Sequence, residues 1–255
     1  MNTDLYDLQG KKIKTIALPQ QFTTEYEPDL IKRSIVAFHH SRKPYGTMYQ
    51  AGLVGVSAKI SRRRRNYKCS YGHGISRAPR KTLWRRGTQF GWTGSEAPGT
   101  VKGRMAHPPK PEKIYTLKIN KKERKKALRS ALSGIAHHHK LFIVEARLEA
   151  LKKTKEARTL LQNLGFTKEL ERLSQHIIKA GKGKTRGRRH SHKKGPLFVV
   201  AGPCPFQTAA YNLPGIDVLS VKYLNIAALT RANELRTSIW TENAVKKLEM
   251  EKLFQ

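Results

Sequence analysis

A long stretch of this chain is almost devoid of negative charge. Between Asp29 and Glu112 the only acidic residue is Glu96, whereas the part from Arg42 to Lys110 carries sixteen lysines and arginines. A compact core cannot hold so many unpaired cations, because each one moved out of water without a partner loses several kcal/mol of hydration. The stretch therefore requires a polyanion as its partner.

The composition of the same stretch favours RNA as that polyanion. Ten glycines from Gly46 to Gly103 allow a flexible backbone, and seven aromatic residues from Tyr45 to Trp92 are interleaved with the cations. Such a ribbon can follow a line of phosphates while its rings stack on unpaired bases. Because it shows neither helical nor strand periodicity, we expect it to be without regular structure until it binds RNA.

The charge of the whole chain points to the same class of partner. Its formal net charge is +33 over 255 residues, which favours binding to an anion that releases condensed counterions. A polybasic membrane-surface protein would need an amphipathic helix with bulky apolar residues or a lipidation motif, and neither is evident. Cys69 and Cys204 are far apart and belong to no CxxC pair, as in a reduced cytosolic protein. We expect a cytoplasmic location and no membrane partner.

The rest of the chain has the alternating elements of an α/β domain. Apolar runs predict strands at Lys12–Leu18, Leu141–Ala146, Leu197–Ala201 and Asp217–Val221. Periodicity and capping signals predict helices from Pro28 to about His39, from Asn120 past Ile135, and over Lys155–Leu164 and Lys168–Ala180. Such an order predicts a mostly parallel sheet flanked by helices on both faces. We predict one globular α/β body made of residues 1–44 and 106–255, interrupted by a long extended basic loop at 45–105.

Two basic surfaces are predicted on the body. Glu123 forms a capping box with Asn120, and the apolar stripe from Ala127 to Ile135 leaves lysines and arginines on the opposite face of that helix. The second basic loop, Ala180–Gly195, combines glycines with arginine side chains that can bind two phosphate oxygens at once. We expect both surfaces to bind phosphates.

Sequence signs of catalysis are weak. Gly183-Lys184-Thr185 lacks the earlier glycine of a P-loop, and it precedes a predicted strand instead of following one. Adjacent rings in the run His137–His139 would point in different directions, so a simple loop is favoured over a metal site. Cys69 lies near His73 without an acidic or amide group to orient the imidazole, and acids are too scarce for a carboxylate pair. We predict no enzyme activity, cofactor, metal or small-molecule substrate.

Several motifs follow one another in a characteristic order along nearly the whole chain. They are Asp29-Leu-Ile-Lys-Arg-Ser34, Gly72-His-Gly-Ile-Ser-Arg-Ala-Pro-Arg80, Ala106-His-Pro-Pro-Lys-Pro-Glu-Lys113, Asn120-Lys-Lys-Glu-Arg124, Ala180-Gly-Lys-Gly-Lys-Thr-Arg-Gly-Arg-Arg189 and Lys194-Gly-Pro-Leu-Phe-Val-Val200. Pro214–Val218 and Trp240–Val245 fit the last strands and helix of the same pattern. In this order the chain resembles the universal large-subunit ribosomal protein family L-four, in its archaeal and eukaryotic form.

The resemblance implies a structural constituent of the large ribosomal subunit, with ribosomal RNA (rRNA) and neighbouring ribosomal proteins as partners. It implies an α/β body on the outer surface of the subunit and a long loop that reaches the peptide exit tunnel. The loop tip maps to Gly72–Arg86, and the tip residues expected near the tunnel are Gly72, Gly74, Arg77, Trp84 and Arg85. The residues expected to bind rRNA are Arg62, Arg63, Arg64, Arg65, Lys68, His73, Arg77, Arg80, Lys81, Trp84, Arg85, Arg86, Lys102, Arg104, Lys121, Lys122, Arg124, Lys125, Lys182, Lys184, Arg186, Arg188, Arg189, His190, Lys193 and Lys194.

Two other functions remain as alternatives at this point. A chromatin or nucleoid protein would use a similar charge, but it would present minor-groove arms or a helix that fits a groove of duplex DNA. An RNA-modifying enzyme would hold a cofactor in its α/β core, yet no convincing cofactor loop follows the strand at Leu141–Ala146. Binding to rRNA and duplex DNA at matched salt separates the first alternative, and cofactor binding would separate the second.

Overall fold

A computed structural model of the chain describes residues 1–41, 58–95, 97–101, 103–104, 106–107, 113–231 and 234–254. The chain divides into two compact units. The body consists of Met1–His39 and Leu117–Gln255, and the basic unit consists of His40–Thr116. Lys102, one of the residues expected to bind rRNA, lies outside the described residues, as does the segment 42–57 of the glycine-rich stretch.

The secondary structure alternates between short strands and helices through most of the body. The strands are β1 (Asn2–Tyr6), β2 (Lys12–Ala17), β3 (Arg80–Arg86), β4 (Gln89–Gly94), β5 (Leu141–Val144), β6 (Ile177–Ile178), β7 (His190–Ser191), β8 (Leu197–Val200), β9 (Asp217–Ser220), β10 (Thr230–Arg231), β11 (Glu234–Leu235) and β12 (Ser238–Thr241). The helices are α1 (Pro28–His40), α2 (Lys121–His137), α3 (Thr154–Asn163), α4 (Thr167–Ser174), α5 (Pro205–Tyr211), α6 (Ile226–Leu229) and α7 (Glu242–Met250). Within the described ranges, no helix has both the length and the apolar character needed to cross a bilayer.

One six-stranded sheet forms the centre of the body, in the order β2-β1-β5-β12-β8-β9. β1 and β2 are antiparallel, and the other neighbouring strands are parallel. Alternate residues of β8 face opposite sides of the sheet, because Leu197 and Val199 belong to one apolar cluster and Phe198 and Val200 to another. Helices α1, α2 and α7 contribute to the first cluster, and α3, α4 and α5 to the second. The predicted fold class, an α/β domain with a mostly parallel sheet flanked by helices, is confirmed.

Most elements predicted from the sequence are present within a few residues of their expected bounds. The helix predicted over Lys168–Ala180 is an exception, because α4 ends at Ser174. Gln175 has an extended backbone, and Ile177 and Ile178 then pair with residues of β7 to form a short hairpin. The second basic loop therefore closes between two paired strands, which the sequence pattern did not indicate.

Strand β12 was not predicted from its own residues, although it lies between β5 and β8. Its pattern is Ser-Ile-Trp-Thr, and both polar ends are fully buried. Ser238 Oγ accepts a hydrogen bond from Trp240 Nε1 at 3.0 Å, and Thr241 Oγ1 donates to Glu149 at 2.7 Å and accepts from Ala244 N at 3.2 Å. Hydroxyl groups that form hydrogen bonds can be buried at a low cost in free energy, so a central strand need not be wholly apolar.

The basic unit contains regular structure that the sequence analysis did not predict. β3 and β4 form an antiparallel hairpin, here called the basic hairpin, with Arg80 opposite Gly94 and Arg86 opposite Gln89. The interpretation that the stretch has no strand periodicity was therefore wrong for these residues. Alternation in Phe90-Gly-Trp92 and the Gly-Thr turn before it are the local signals that indicate a hairpin.

Candidate nucleic-acid interface

The predicted rRNA-binding side chains lie at the surface of both units. Those that the structure describes are exposed, except for four partly buried ones: Lys68, Arg80, Arg104 and Lys193. A cation must be accessible to pair with a phosphate of another molecule, and these side chains meet that requirement. They form three groups in the chain, at 62–86 and 104 in the basic unit, at the start of α2, and at 182–194 in the second basic loop.

The basic hairpin presents Trp84 on an open surface. Gly87 and Thr88 form its two-residue turn, and Gly87 has φ +53°, a left-handed conformation that favours glycine. The side chain of Trp84 lies against Gly91 of the facing strand, where an added Cβ would come within 2.2 Å of the indole Nε1. Trp84 is 54% exposed and its neighbour Leu83 is 66% exposed. The indole is thus held by the hairpin while much of its face stays accessible for stacking.

Aromatic rings of the basic unit pack on one another and on guanidinium groups. The Tyr67 ring meets Phe90 edge to face with centroids 4.9 Å apart, and Phe90 meets Trp92 in the same way at 5.2 Å. The Arg85 guanidinium carbon lies 4.5 Å from the Tyr67 ring centroid, and that of Arg80 lies 5.0 Å from Trp92. Rings and cations at these distances attract each other, by roughly 0.5–1 kcal/mol per exposed pair.

Two arginines from different parts of the basic unit lie near the ring of Tyr71. The guanidinium carbon of Arg64 lies 5.7 Å from the Tyr71 ring centroid, and that of Arg77 lies 5.1 Å from it. Arg80 is more tightly held, because Nη1 donates to the carbonyl of Ser76 at 2.7 Å and Nη2 donates to Ser76 Oγ at 3.2 Å. Arg80 therefore orders the turn before β3, whereas Arg64 and Arg77 keep their exposed nitrogens for a partner.

The glycines at the predicted loop tip have a backbone role. Gly72 has φ +77° and Gly74 has φ +62°, which side chains rarely adopt. A Cβ at either position would meet no atom within 4 Å among the described residues, so the requirement for glycine comes from conformation and not from crowding. His73 between them is exposed.

Helix α2 separates an apolar face from a basic one. The predicted capping box is present, and the Glu123 carboxylate accepts a hydrogen bond from Asn120 N at 3.4 Å. Ala127, Leu128, Ala131, Leu132 and Ile135 are buried, and the predicted phosphate-binding residues Lys121, Lys122, Arg124 and Lys125 are exposed. The neighbouring Lys126 pairs with Glu27, so its charge is partly neutralised within the body.

Hydrogen bonds between its own backbone groups, and two glycines with positive φ, give the second basic loop its shape. Lys179 N donates to the Arg189 carbonyl at 2.9 Å, and Arg188 N donates to the Gly183 carbonyl at 3.0 Å. Gly181 and Gly187 have positive φ values of +78° and +74°. The predicted residues with exposed side chains here are Lys182, Lys184, Arg186, Arg188, Arg189, His190 and Lys194.

Two predicted residues of this loop also have structural partners. Lys193 Nζ donates to the Arg172 carbonyl at 2.7 Å and to Gln175 Oε1 at 3.2 Å. Lys194 Nζ donates to the Ala227 carbonyl at 3.3 Å. These contacts fasten the end of the loop to the body, so Lys193 is less available to a phosphate than the cations at the tip.

A buried arginine, Arg236, supports the exit of this loop. Arg236 is 3% exposed, and its guanidinium donates to Asp217 Oδ2 at 2.6 Å and to the carbonyls of Gly195, Pro196 and Gly215. Burial lowers the pKa of Arg236, and the hydrogen bond that its guanidinium donates to Asp217 opposes that shift. No local pattern distinguishes such a residue, because its partners come from elsewhere in the sequence.

The metal-binding and nucleophilic side chains among the described residues bear on whether the chain could be a catalyst. Within the ranges that the structure covers, no group of three His, Cys, Asp or Glu side chains could hold a metal ion. Cys69 and Cys204 are both free thiols, and burial raises the pKa of Cys204, which makes it a poorer nucleophile at neutral pH. His138 meets Tyr26 edge to face at 5.6 Å, a packing contact in the turn after α2.

Comparison with known proteins identifies the family. The sequence model of the ribosomal protein L4/L1 family matches residues 16–251. "Large ribosomal subunit protein uL4" of Nanoarchaeum equitans is 42% identical over 271 aligned residues, which cover 100% of both chains. The protein of the same name from Methanocaldococcus jannaschii is 37% identical over 98% of each chain, and that from Archaeoglobus fulgidus is 36% identical over 97% of this chain and 98% of its own. The chain therefore belongs to the ribosomal protein L4/L1 family.

Proposed function

We propose that this chain is a structural constituent of the large ribosomal subunit, acting on the ribosome in the cytoplasm by binding rRNA. Its family and its full-length similarity to archaeal proteins named for the large subunit support this role. The family is one of ribosomal proteins, which supports the prediction that the chain is not an enzyme. Neither the nucleoid protein nor the RNA-modifying enzyme gains support from these relatives.

One observation carries the proposal of rRNA binding. The described part of the basic unit holds no carboxylate, yet it exposes arginines in a run at 62–65 and on the hairpin at 85–86. Its aromatic rings lie next to those cations, as in Arg85 over Tyr67. Surfaces that combine phosphate-binding cations with stacking rings suit unpaired and irregular RNA better than a regular duplex, whose bases are already stacked.

We assign the two parts of the chain different tasks. The globular part predicted from the sequence, residues 1–44 and 106–255, would dock on rRNA through α2 and the second basic loop. The segment 45–105 would extend between rRNA helices toward the peptide exit tunnel, with Gly72–Arg86 at its tip. Neighbouring large-subunit proteins are further proposed partners. The tunnel assignment comes from the family resemblance, and the exposed Arg77, Trp84 and Arg85 are compatible with it.

A comparison of the affinities for rRNA and for duplex DNA tests the proposed partner. The full chain is titrated with large-subunit rRNA and with duplex DNA of equal phosphate content, each over a series of salt concentrations. Because counterion release gives both polymers a steep salt dependence, the comparison must be made at matched salt. We expect rRNA to bind at least about tenfold tighter than DNA at physiological salt, since only RNA offers splayed bases for stacking. Equal affinity would favour a nucleoid protein.

Deleting residues 46–103 tests the division of tasks. We expect the truncated chain to keep the circular dichroism and cooperative unfolding of the body, because both apolar clusters lie outside the deleted segment. We also expect it to be severely impaired in assembling into large subunits, measured by sedimentation against the full chain. Normal incorporation of the truncated chain would contradict the role assigned to the loop.

A further inference from the structure

A cleft of about 500 Å³ lies within the basic unit, between the turn at 65–69 and the basic hairpin. This volume is within the range of sites that hold small organic ligands. Apolar rings and cations contribute to the same walls, so a ligand in the cleft meets both at once. The residues that matter here are Arg65, Tyr67, Lys68, Arg85, Phe90 and Trp92.

The walls of the cleft are held in place by contacts that need no ligand. Phe90 supports the Tyr67 ring edge to face, and the Tyr67 hydroxyl lies 3.4 Å from Thr82 Oγ1. Arg85 stacks on the Tyr67 ring, and its Nε donates to the Gly87 carbonyl at 2.9 Å. Neither terminal nitrogen of Arg85 has a hydrogen-bond partner among the described residues. A flat guanidinium is therefore positioned at the cleft with donors available.

The chemistry of the walls selects the class of ligand. The described lining has no carboxylate, so a cation would be repelled and an anion attracted. An acidic peptide would use Arg65, Lys68 and Arg85 but would bring no base to the aromatic wall formed by Tyr67 and Phe90. A nucleotide uses both, because its base stacks on aromatic and guanidinium planes while its phosphate pairs with cations.

We propose that this cleft receives one unstacked nucleotide of rRNA. The base lies against the wall formed by Tyr67 and Phe90, and the adjoining phosphate is bound by Arg85 together with Arg65 or Lys68. The inference rests on the proposed rRNA binding and adds a defined site to it. A free mononucleotide offers the same chemistry but lacks the rest of the RNA chain, which supplies further phosphate contacts to the exposed arginines nearby.

A pair of conservative variants tests the site in the full chain. Arg85→Lys keeps the charge but removes the planar group, and Arg158→Lys makes the same change at an exposed residue of α3 that does not line the cleft and is not assigned to RNA binding. Both positions are at the surface, so folding is preserved. We expect Arg85→Lys to weaken rRNA binding severalfold, because a lysine cannot replace the paired donors with which a guanidinium binds a phosphate, and Arg158→Lys to leave it within twofold.

A second pair distinguishes stacking from local folding. Tyr67→Ala removes the ring, and Tyr67→Phe keeps it while removing the hydroxyl near Thr82. With purified large-subunit rRNA, each adenine and cytosine is mapped by its reactivity toward dimethyl sulfate, and each uracil and guanine by its reactivity toward a water-soluble carbodiimide, in complexes with the wild-type chain and both variants. We expect one nucleotide, or one adjacent pair, to be protected by the wild-type chain and by Tyr67→Phe and to become reactive with Tyr67→Ala.

Two results would overturn the inference and leave the proposed function intact. The first is preferential rRNA binding in which Arg85→Lys matches Arg158→Lys and no protected base depends on the Tyr67 ring. The second is saturable binding of adenosine or uridine monophosphate at micromolar concentration without any such protected base, which would assign the cleft to a free nucleotide. Failure of the wild-type chain to prefer rRNA over duplex DNA would instead remove the proposed function on which the inference rests.

Discussion

The two units of this chain handle positive charge in opposite ways. In the body, cations lie next to carboxylates, as in Lys14 with Glu242 at 3.1 Å and Arg236 with Asp217 at 2.6 Å. In the described part of the basic unit there is no carboxylate, and cations lie over the rings of Tyr67, Tyr71 and Trp92. The body balances much of its charge internally, whereas the basic unit keeps its charge for a partner.

The two units also differ in the source of their stability. The body has two apolar clusters on a six-stranded sheet, with fully buried side chains such as Trp240 and Phe198. The basic hairpin has two strands, and isolated two-stranded hairpins are marginally stable in water. Ligands that bind only the folded form stabilise it by mass action. We therefore expect rRNA to stabilise the basic unit far more than the body.

The largest expected effect follows from removing the arginine run. Changing Arg62, Arg63, Arg64 and Arg65 to glutamine removes four exposed cations from the basic unit. Each lost phosphate contact reduces the salt slope of binding by about 0.7–0.9, so the slope should fall by roughly 3 and affinity by at least about a hundredfold near 0.1 M salt. Fluorescence titration with rRNA at several salt concentrations measures both quantities.

A matched change in the body is the control for that prediction. Lys152 and Lys153 before α3, and Lys155 and Arg158 within it, are also exposed and have not been assigned to RNA binding. Their replacement by glutamine makes the same change in net charge, and we expect the salt slope to fall by less than about 1. Equal losses for both variants would mean that binding follows net charge alone, and the contrast between the units would fail.

The next effect concerns stability in the body. Arg236→Met removes the donor to Asp217 and to three backbone carbonyls, and we expect it to lower the free energy of unfolding by about 3 kcal/mol. Arg231→Met is the control, because Arg231 is exposed and lies 3.9 Å from its partner Glu169. Its expected cost is under about 1 kcal/mol. Urea unfolding of both variants compares them, and similar midpoints would contradict the anchoring role of Arg236.

The elements that could be predicted from sequence are those whose signal is local. Leu197–Val200 is an apolar run buried on both faces, and the stripe in α2 together with its capping box was visible from spacing alone. Arg236 and β12 were not predictable in this way. The burial of Ser238, Thr241 and Arg236 is made possible by hydrogen bonds to partners that the pattern around each residue does not reveal.

A smaller effect is expected at the turn of the basic hairpin. Gly87 has φ +53°, and an added Cβ would meet open space among the described residues. Gly87→Ala therefore costs only the conformational strain of that backbone, about 1 kcal/mol, confined to β3 and β4. Thr88→Ala in the same turn should cost less than about 0.5 kcal/mol. Amide hydrogen exchange in 80–94 measures both, and global unfolding of the body should not change.

The smallest effect is a dependence on pH in the body. Hydrogen bonding from Arg172 lowers the pKa of Glu169 from its ordinary value of 4.5. A lowered pKa contributes stability above pH 4.5, and that contribution is lost as the pH falls through the lowered value. Glu169→Gln should therefore be less stable than wild type at pH 6 by under about 1 kcal/mol, with the difference shrinking below pH 4.5. A constant difference from pH 6 to pH 3 would contradict this.

Charge in the sequence predicts where the interface lies, but it does not predict how the side chains there pack on one another. Composition placed Arg77, Trp84 and Arg85 at a surface for RNA, and the structure leaves all three exposed. It could not show that Tyr67 packs on Phe90 or that Arg85 lies over Tyr67, since these residues come from separate segments. The period-two spacing of Phe90 and Trp92 was the one local sign of a strand there.

Hydrogen exchange of the full chain, free and bound to rRNA, tests the central claim most directly. Amides of β3 and β4 in the basic hairpin are compared with those of β8 and β12 in the body. We predict that the hairpin amides are weakly protected in the free chain and gain at least about tenfold protection on rRNA, while the amides of β8 and β12 are strongly protected in both states. Hairpin amides that are as protected in the free chain as in the complex would contradict it.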